Sequence, residues 1–490
     1  MKFRSGRDIH YSVVPIVFGF SFLLGAIISF VLAWGDITGW LIFPAFLSLI
    51  LSIATSRCGR VVFAAFSGLL FGALRASPVI TDQKNAASFI GRQAIISATI
   101  SDTPRLKNGS IRATLNNISF NYSTKTVNSQ AYAVLDNVNL GISRSDRITL
   151  EGEIQPGFGN YTIALYRPRL IALNKPDPPD LAQSVRATFL QRIRRAMGAQ
   201  DSTDLALGFL LGEKSLSDTQ SEKLRTIGLS HIVVASGYCL SMIVGVARKV
   251  AGKLSRFAGF LASYLLIVLF ISVTGLSPSL MRAGLVSGIS LAISYFGRKI
   301  HPVRLLIYVA SLSALINPLV IFELAWQLSF ASYTGIILLL PLLKAFFFGR
   351  QKTSVFAEII LTSISAQIMC LPISACAFGS ISILSIVSNI LVTPLIPTVM
   401  LLTFMVGLFP FLALSATINN AILGLQLGII DWLSRIKWGT ATASIDAPFI
   451  VAIYATIFLV FFLLKLRIGY SYKPRLALDK SPKYGKIYTC

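Results

Sequence analysis

The sequence has few charged residues for its length. Only 13% of its 490 residues are charged, 54% are hydrophobic, and the mean hydropathy is +0.71. A soluble protein of this size needs much more polar surface to cover its core. The composition therefore excludes an ordinary soluble enzyme and indicates an integral membrane protein.

Histidine is scarce as well. The histidines His10, His231 and His301 lie far apart, and no HExxH, CxxC or His-x-His pattern occurs. A zinc or di-metal hydrolase site is therefore not expected, and neither is any cofactor. The sequence also has no GxxxxGK[ST] loop, so a step driven by ATP is expected to need another protein.

Apolar runs and basic loops alternate along the chain. Lys and Arg number 44 against 20 Asp and Glu, an excess that cytoplasmic loops and anionic membrane lipids explain. The first run follows a basic start without a cleavage site, so we expect a retained span. The pattern predicts about twelve spans with both termini in the cytoplasm. The predicted spans are residues 11–34, 40–55, 61–74, 227–246, 257–274, 281–296, 305–322, 326–343, 355–378, 381–409, 416–433 and 449–466.

One region differs from the rest. Between residues 77 and 180 the long apolar runs stop, and short alternating stretches predict strands. Asn108 and Gly109 indicate a hairpin turn between two of them. The predicted strands are residues 94–100, 111–120, 131–135, 148–154 and 161–173. This pattern fits a small OB-like β-barrel outside the cytoplasm, and a fragment of a β-sandwich fits it nearly as well.

An amphipathic helix is predicted directly after this region, at residues 181–197. Its apolar positions recur every four residues, at Val185, Phe189, Ile193 and Met197. Its arginines occupy other faces: Arg186, Arg192, Arg194 and Arg195. Such a helix is typical of an interfacial anchor on anionic lipid, and a nucleic-acid contact is the alternative. The predicted organisation is thus residues 1–76 with three spans, 77–180 outside, 181–200 interfacial, 201–466 a transmembrane domain and 467–490 a basic cytoplasmic tail.

Ionisable residues and helix breakers interrupt several of the apolar runs. Each charge alone is explained by a position at the headgroup level, but together they suggest a polar path. The breaks are predicted at residues 231–237, 317–318, 371–372, 393–394 and 396–397. Ser236 follows His231 as in a nucleophile turn, but without a second partner we interpret it as a packing residue. The candidates for the path are Glu213, Lys214, His231, Ser236, Arg282, Glu323, Trp326 and Gln327.

Three ordered motifs resemble the competence domain of the ComEC family. The first comprises residues 210–217 (LLGEKSLS), 224–231 (LRTIGLSH) and 235–237 (ASG); the second, 275–279 (GLSPS) and 281–283 (MRA); the third, 317–318 (NP) and 323–330 (ELAWQLSF). Residues 146–152 (DRITLEG) are similar to a late strand of that family's external OB-like domain. The resemblance implies a channel in the cell inner membrane that takes up single-stranded DNA during natural transformation.

The sequence also departs from the family pattern. Tyr238, Cys239 and Leu240 stand where the family usually has Leu-His-Val, and Glu323 stands where many members have Asp. Many members end in a metallo-β-lactamase-like domain, whereas this chain ends at residue 490, shortly after its last span. We therefore expect no nuclease activity here. The implied partners are single-stranded DNA, a DNA receptor on the outer side, a separate nuclease, and a cytosolic DNA-handling ATPase or strand-binding protein.

The predicted external region carries basic and aromatic side chains suited to a DNA strand. Residues 91–170 hold nine Lys and Arg against five Asp and Glu. Aromatic rings stack on bases in proteins that bind single strands, although rings also fill the interior of a small barrel. With the helix arginines, the candidates for DNA contact are Arg105, Lys107, Arg112, Tyr122, Tyr132, Arg144, Tyr161, Arg186, Arg192, Arg194 and Arg195.

Two other functions compete with a DNA channel. A secondary transporter would share the broken helices, but it would not need the external β region. A membrane enzyme that handles a polymer or glycan should carry a pair of acidic residues near the outer face, and only scattered acids such as Glu213, Asp431 and Asp446 occur. We therefore expect a channel rather than an enzyme.

Overall fold

The computed structural model is mostly helical, with one mixed β sheet near the N-terminus. It describes residues 13–35, 38–54, 57–101, 104–107, 109–121, 126–127, 129–136, 141–159, 161–176, 181–198, 200–211, 216–229, 237–274, 278–349, 351, 353–382, 384–409, 413–436, 440–442 and 447–468.

Three helices form the N-terminal part: α1 (Val14–Val31), α2 (Thr38–Ala54) and α3 (Arg57–Ala87). Helices α1 and α3 pack backbone to backbone, because a Cβ at Gly72 would lie 2.0 Å from the carbonyl oxygen of Phe22. Small residues permit such close approach between membrane helices. Helix α3 runs through Pro78 to Ala87, so it extends about three turns past the start expected for the β region at residue 77.

Eight strands follow α3: β1 (Gln93–Ile100), β2 (Arg105–Lys107), β3 (Ser110–Phe120), β4 (Ala131–Leu135), β5 (Arg147–Glu153), β6 (Gln155–Pro156), β7 (Ile163–Tyr166) and β8 (Arg169–Asn174). Their order in the sheet is β6-β7-β4-β3-β1-β5-β8, and β2 pairs only with β3. All pairs are antiparallel except β4 with β7. The path of the sheet has two ends, so a closed OB-type barrel stays a prediction.

The alternation of apolar and polar residues predicted the positions of most strands correctly. The side chains of Ile96, Ala98 and Ile100 are buried, while those between them are partly exposed. The hairpin is confirmed, because Lys107 pairs with Ser110 and Gly109 has φ +73°. The single last strand predicted at residues 161–173 is wrong. Arg167 has φ +53° and precedes Pro168, which separates β7 from β8.

Thirteen helices follow in the described residues: α4 (Leu181–Met197), α5 (Asp201–Leu211), α6 (Asp218–Thr226), α7 (Gly237–Ala251), α8 (Arg256–Thr274), α9 (Pro278–Tyr295), α10 (Pro302–Ile316), α11 (Leu324–Phe348), α12 (Val355–Phe378), α13 (Ser385–Val392), α14 (Ile396–Leu408), α15 (Ala413–Ser434) and α16 (Ala447–Ile468). The short strands β9 (Ser380–Ser382) and β10 (Thr440–Thr442) pair with each other between them. The side chains of α5 from Leu205 to Leu211 are all buried, so this short helix lies at the centre of the packing.

Several helices have the length and composition of membrane spans. Within the described residues there are six: Val14–Val31, Gly59–Ala87, Leu324–Phe348, Phe356–Phe378, Ser385–Leu408 and Phe449–Arg467. Four shorter apolar helices accompany them: Leu41–Ser52, Arg256–Ser272, Leu280–Tyr295 and Pro302–Ile316. The helical membrane class is therefore supported, while the number of twelve spans stays a prediction.

The predicted breaks have mixed outcomes. At residues 317–318 the break is confirmed, because α10 ends at Ile316 and a 3-10 helix (Pro318–Phe322) follows. At residues 393–394 the break is borne out only as a 3-10 turn (Thr393–Leu395), because Ser385–Leu408 remains one helix. The break at residues 371–372 is wrong, since α12 is continuous through Pro372. A proline removes one backbone hydrogen bond, and packed membrane helices tolerate that loss. The break at residues 396–397 is also wrong, because Pro397 lies in the first turn of α14, where proline is favoured.

Candidate functional site

Arg282 projects from α9 onto α11. Its Nε donates a hydrogen bond to Oγ of Ser329, and its guanidinium lies 5.5 Å from the ring centre of Tyr333. Ser329 and Tyr333 are four residues apart and share one face of the helix. The side chain of Arg282 therefore lies between α9 and α11, where it is hydrogen-bonded to Ser329 and lies over the ring of Tyr333.

Trp326 and Gln327 make hydrogen bonds around the break between α10 and α11. Nε1 of Trp326 donates to Oγ of Ser313 at 3.0 Å, and Nε2 of Gln327 donates to the carbonyl oxygen of Ile321 at 3.2 Å. The side chain of Asn317 accepts from the backbone N–H of Leu319 at 3.1 Å. Polar groups freed by the break are thus satisfied inside the protein, as the membrane interior requires. These contacts favour a structural role for both predicted residues.

Glu323 precedes α11 and lies outside both helices that flank the break. Its backbone caps α11, but its carboxyl makes no capping bond and no ion pair with a described residue. No ion pair joins Glu323 to Arg282 among the described residues, and Nε of Arg282 donates to Ser329 instead. Burial raises the pKa of Glu323 to about 7, since a charged carboxylate loses its hydration there.

Some predicted site residues lie outside the described residues: Glu213, Lys214, His231, Ser236 and Tyr122. Arg105 and Lys107 belong to β2, but their side chains are likewise outside the described part. These seven stay predictions.

Three aromatic rings meet on one face of the β sheet. The ring centres of Tyr132 and Tyr161 are 5.3 Å apart, and Phe158 lies 5.0 Å from the first and 5.4 Å from the second. Phe158 is 50% exposed. The hydroxyl of Tyr161 is 3.2 Å from Oγ1 of Thr114, which faces Tyr132 across β3 and β4. These rings do not fill the core of the sheet. Of the two roles considered for Tyr132 and Tyr161, stacking on bases or filling a barrel, the structure therefore favours the first. Phe158 was not among the residues predicted from the sequence.

Arg112 lies on the same face of β3, because it is two residues from Thr114. Its Nε is buried and has no hydrogen-bond partner within the described part of the chain. A guanidinium on the same sheet face as aromatic rings is a suitable contact for a phosphate. We call Arg112, Tyr132, Phe158 and Tyr161 the outer aromatic face.

Other basic residues bind the carboxyl ends of helices instead. Arg144 donates to the carbonyl oxygen of Ser272 at 3.5 Å, and Arg186 to that of Thr274 at 3.1 Å, both at the end of α8. Arg75 of α3 binds the carbonyl oxygens of Leu315 and Ile316 at the end of α10. Cations stabilise helix C-termini in this way. The contacts favour a structural role for Arg144 and Arg186.

Helix α4 is packed against the membrane helices. The ring of Phe189 lies 6.1 Å from that of Phe404 of α14. Arg186 is buried on the packed face while Val185 is 48% exposed, so the predicted apolar face is wrong at its first position. Arg194 is 3.3 Å from Asp204, and Arg192 and Arg195 are exposed. Of the four arginines predicted to contact DNA from α4, Arg192 and Arg195 are therefore the most accessible to an external partner.

A serine cluster was missed by sequence reasoning. Oγ of Ser382 donates to the carbonyl oxygen of Thr226 at 2.8 Å, and Oγ of Ser388 to that of Ile227 at 2.7 Å. Both carbonyls lie at the end of α6, directly before Gly228, which has φ +74°. The signal was present as a serine-rich start to the apolar run predicted at residues 381–409.

Two buried amides on α15 were missed as well. Nδ2 of Asn419 donates to Oγ1 of Thr403 at 2.8 Å, and Nε2 of Gln426 donates to the carbonyl oxygen of Val392 at 3.3 Å. Val392 ends α13, so Gln426 satisfies a carbonyl at the second break. Both side chains are 0% exposed. Together with the serine cluster, they make the interior around the broken helices polar.

No group of three or more metal-ligating side chains occurs among the residues that the structure describes.

Comparison with known proteins gives two matches. A family model described as "Competence protein" matches residues 209–467, which is more than half of the chain. "ComE operon protein 3" of Bacillus subtilis (strain 168) is 25% identical over 239 residues, an alignment that covers 48% of this chain and 30% of the relative. The chain thus aligns with about a third of the length of that curated relative. No solved structure matches it.

Proposed function

Because the chain belongs to the competence protein family, as a member of the ComEC type, we propose that it is the inner-membrane channel for single-stranded DNA in natural transformation. The observation that carries this proposal is the family match over residues 209–467, which takes in the helices from α6 to α15 and parts of α5 and α16. The match includes Arg282, Glu323 and the serine cluster.

The polar interior suits the passage of a charged strand. DNA carries one charge per phosphate, so it needs a protein-lined and hydrated route across the hydrocarbon layer. Irregular backbone at the break at Asn317, at the 3-10 turn of residues 393–395 and at Gly228 is tolerated in a membrane protein only when it is buried or lines such a route. Arg282 supplies the cation on this route, with Ser329 and Tyr333 as its partners when no strand is present.

We further propose the topology of about twelve spans with the β region outside and both termini inside. The carboxyl ends of α8 and α10 meet arginines of the β region or of α3. Their amino ends lie in the basic segments at residues 248–256 and 298–304. This polarity supports an outer position for the β region under the positive-inside rule. The organisation proposed is three spans before residue 77, an OB-like region to 180, an interfacial helix to 200 and a channel domain to 466.

The outer aromatic face is the proposed entry surface. Bases stack on exposed rings without regard to sequence, and Arg112 supplies a cation for the backbone. The strand reaches this face from a DNA receptor. A separate nuclease removes the other strand, and a cytosolic ATPase or strand-binding protein pulls from within. The protein itself then acts as a channel without a catalytic step.

A deletion strain tests this function. Transformation frequency should fall to background when the gene is deleted, while DNA bound at the cell surface stays at the wild-type amount. Restoring the full chain should restore transformation. A deletion strain that transforms normally would show that this homologue does not carry the strand.

A further inference from the structure

Two cavities of opposite character meet at Arg75. The larger has a volume of about 800 Å³ and lies among α1, α2, α3, α9 and α10. Its walls are almost entirely apolar and include Phe18, Phe22, Phe71 and Leu312. The smaller has a volume of about 180 Å³ and lies between the β sheet and the end of α10. Its walls are mainly polar and include Asn116, Ser129, Gln130 and Asn317.

Two hydrogen bonds hold Arg75 at the boundary. Its Nε and Nη2 donate to the carbonyl oxygens of Leu315 and Ile316 at 2.7 and 2.8 Å. No described group accepts a hydrogen bond from its Nη1. An apolar cavity with one fixed cation at its mouth fits an amphiphile that carries an anion.

The small cavity contains polar atoms that lack partners. Ser129 is 2% exposed, and its Oγ has no hydrogen-bond partner within the described residues. The same holds for Oδ1 of Asn116. Polar atoms buried so deeply are normally hydrogen-bonded, so these two are suited to a ligand with hydroxyl groups.

We propose that these cavities bind one phospholipid with an anionic glycerol headgroup, of the phosphatidylglycerol type. An acyl chain fills the apolar cavity, the phosphate contacts Arg75, and the headgroup hydroxyls bond to Asn116 and Ser129. The order of cavity, cation and polar groups along the protein is the order of chain, phosphate and hydroxyls along the lipid. A nucleotide strand does not fit, because its charged backbone and polar bases would face phenylalanine side chains.

Bound there, the lipid joins three elements. It contacts the β sheet through Asn116, α3 through Arg75, and α10 directly before the break at Asn317. Asn116 lies on the same face of β3 as Arg112 and Thr114, but the test measures lipid retention by the purified protein and is therefore independent of DNA uptake.

Native mass spectrometry of the full-length protein in detergent tests the proposal, with dioleoylphosphatidylglycerol and dioleoylphosphatidylcholine as probes. The wild type should retain one phosphatidylglycerol with at least about tenfold preference over phosphatidylcholine, because both lipids carry the phosphate but phosphatidylcholine has a cationic headgroup without the hydroxyls that bond to Asn116 and Ser129. Arg75→Gln should lose about tenfold in affinity, because the charge-assisted contact with the phosphate is removed. Leu312→Trp fills the apolar cavity and should lose a similar factor while leaving the bonds of Arg75 intact. Lys84→Gln is the matched control, because Lys84 is another cation of α3 but binds Ala33 and lines neither cavity.

The second variant keeps the test decisive if Arg75→Gln folds poorly. Equal retention of phosphatidylglycerol by the wild type and Leu312→Trp would overturn the proposal. Equal retention of both lipids by the wild type would also overturn it, because the cavity would then bind any acyl chain without distinguishing between headgroups. Displacement of the lipid by a short oligothymidylate would assign the cavity to DNA instead.

Discussion

Arg282 offers the sharpest test of the channel, because its charge and its hydrogen bond can be removed separately. Arg282→Gln removes the charge. Ser329→Ala keeps the charge but removes the oxygen that accepts from Nε of Arg282. A hydrogen bond from a charged group contributes about 1.5–3 kcal/mol, which corresponds to roughly 10- to 100-fold in rate or equilibrium.

If passing phosphates replace Ser329 as the partner of Arg282, the charge is the essential property. Transformation should then fall by about 10- to 100-fold or more in Arg282→Gln. It should stay within a few-fold of wild type in Ser329→Ala, since Tyr333 still supports the guanidinium. The assay is transformation frequency normalised to the amount of protein in the membrane, with surface DNA binding measured in parallel.

Arg298→Gln is the matched control. Arg298 is an exposed arginine in the segment between α9 and α10, so its loss removes the same charge away from the proposed route. Wild-type uptake in Arg282→Gln at normal protein levels would refute the reasoning. Equal defects in Arg282→Gln and Ser329→Ala, with equal losses of thermal stability, would show that the pair only holds α9 to α11.

Three further predictions follow from contacts in the fold. The pKa of Glu323 is about 7 in the folded protein and 4.5 ordinarily. The free energy of unfolding should therefore fall as the pH rises from 4.5 to about 7, because the folded state holds the proton more tightly. Melting curves should show this fall in the wild type and not in Glu323→Gln. Phe158→Ala should weaken binding of single-stranded DNA by about 1–3 kcal/mol in a salt titration, and an undiminished affinity in a double variant with Tyr132→Ala would exclude the outer aromatic face. Gly72→Leu should reduce the folded yield strongly, whereas Gly245→Leu, at a glycine with open space around it, should not; equal yields would contradict the close packing of α1 and α3.

Sequence patterns located most elements because hydrophobic periodicity is a local property. Alternation at residues 94–100 predicted β1 to within one residue, and the asparagine and glycine at residues 108–109 predicted the hairpin. The break at Asn317 was predictable too, because a proline directly after it cannot continue a helix. By contrast, Pro372 gave the same local signal within a helix that tertiary packing keeps continuous.

The candidate site was predictable only in part. Arg282 was found because a charge in an apolar run is conspicuous, but its partners Ser329 and Tyr333 lie on another helix. Opposite charge alone would suggest Glu323 as its partner, but the group that Arg282 meets depends on how α9 lies against α11. The serines near residue 382 bond to α6, more than 150 residues earlier in the chain.

By itself, the sequence determined the class of the protein, the places of most helices and strands, and the family resemblance, since composition, periodicity and motifs are all read along one chain. Only the tertiary structure decided which polar groups meet. It assigned Arg75, Arg144 and Arg186 to helix ends, gathered Phe158 with two tyrosines, and placed Ser129 in a polar cavity that meets an apolar one at Arg75. The physical reason is that burial and hydrogen bonding depend on distances between segments remote in sequence, which no local pattern specifies.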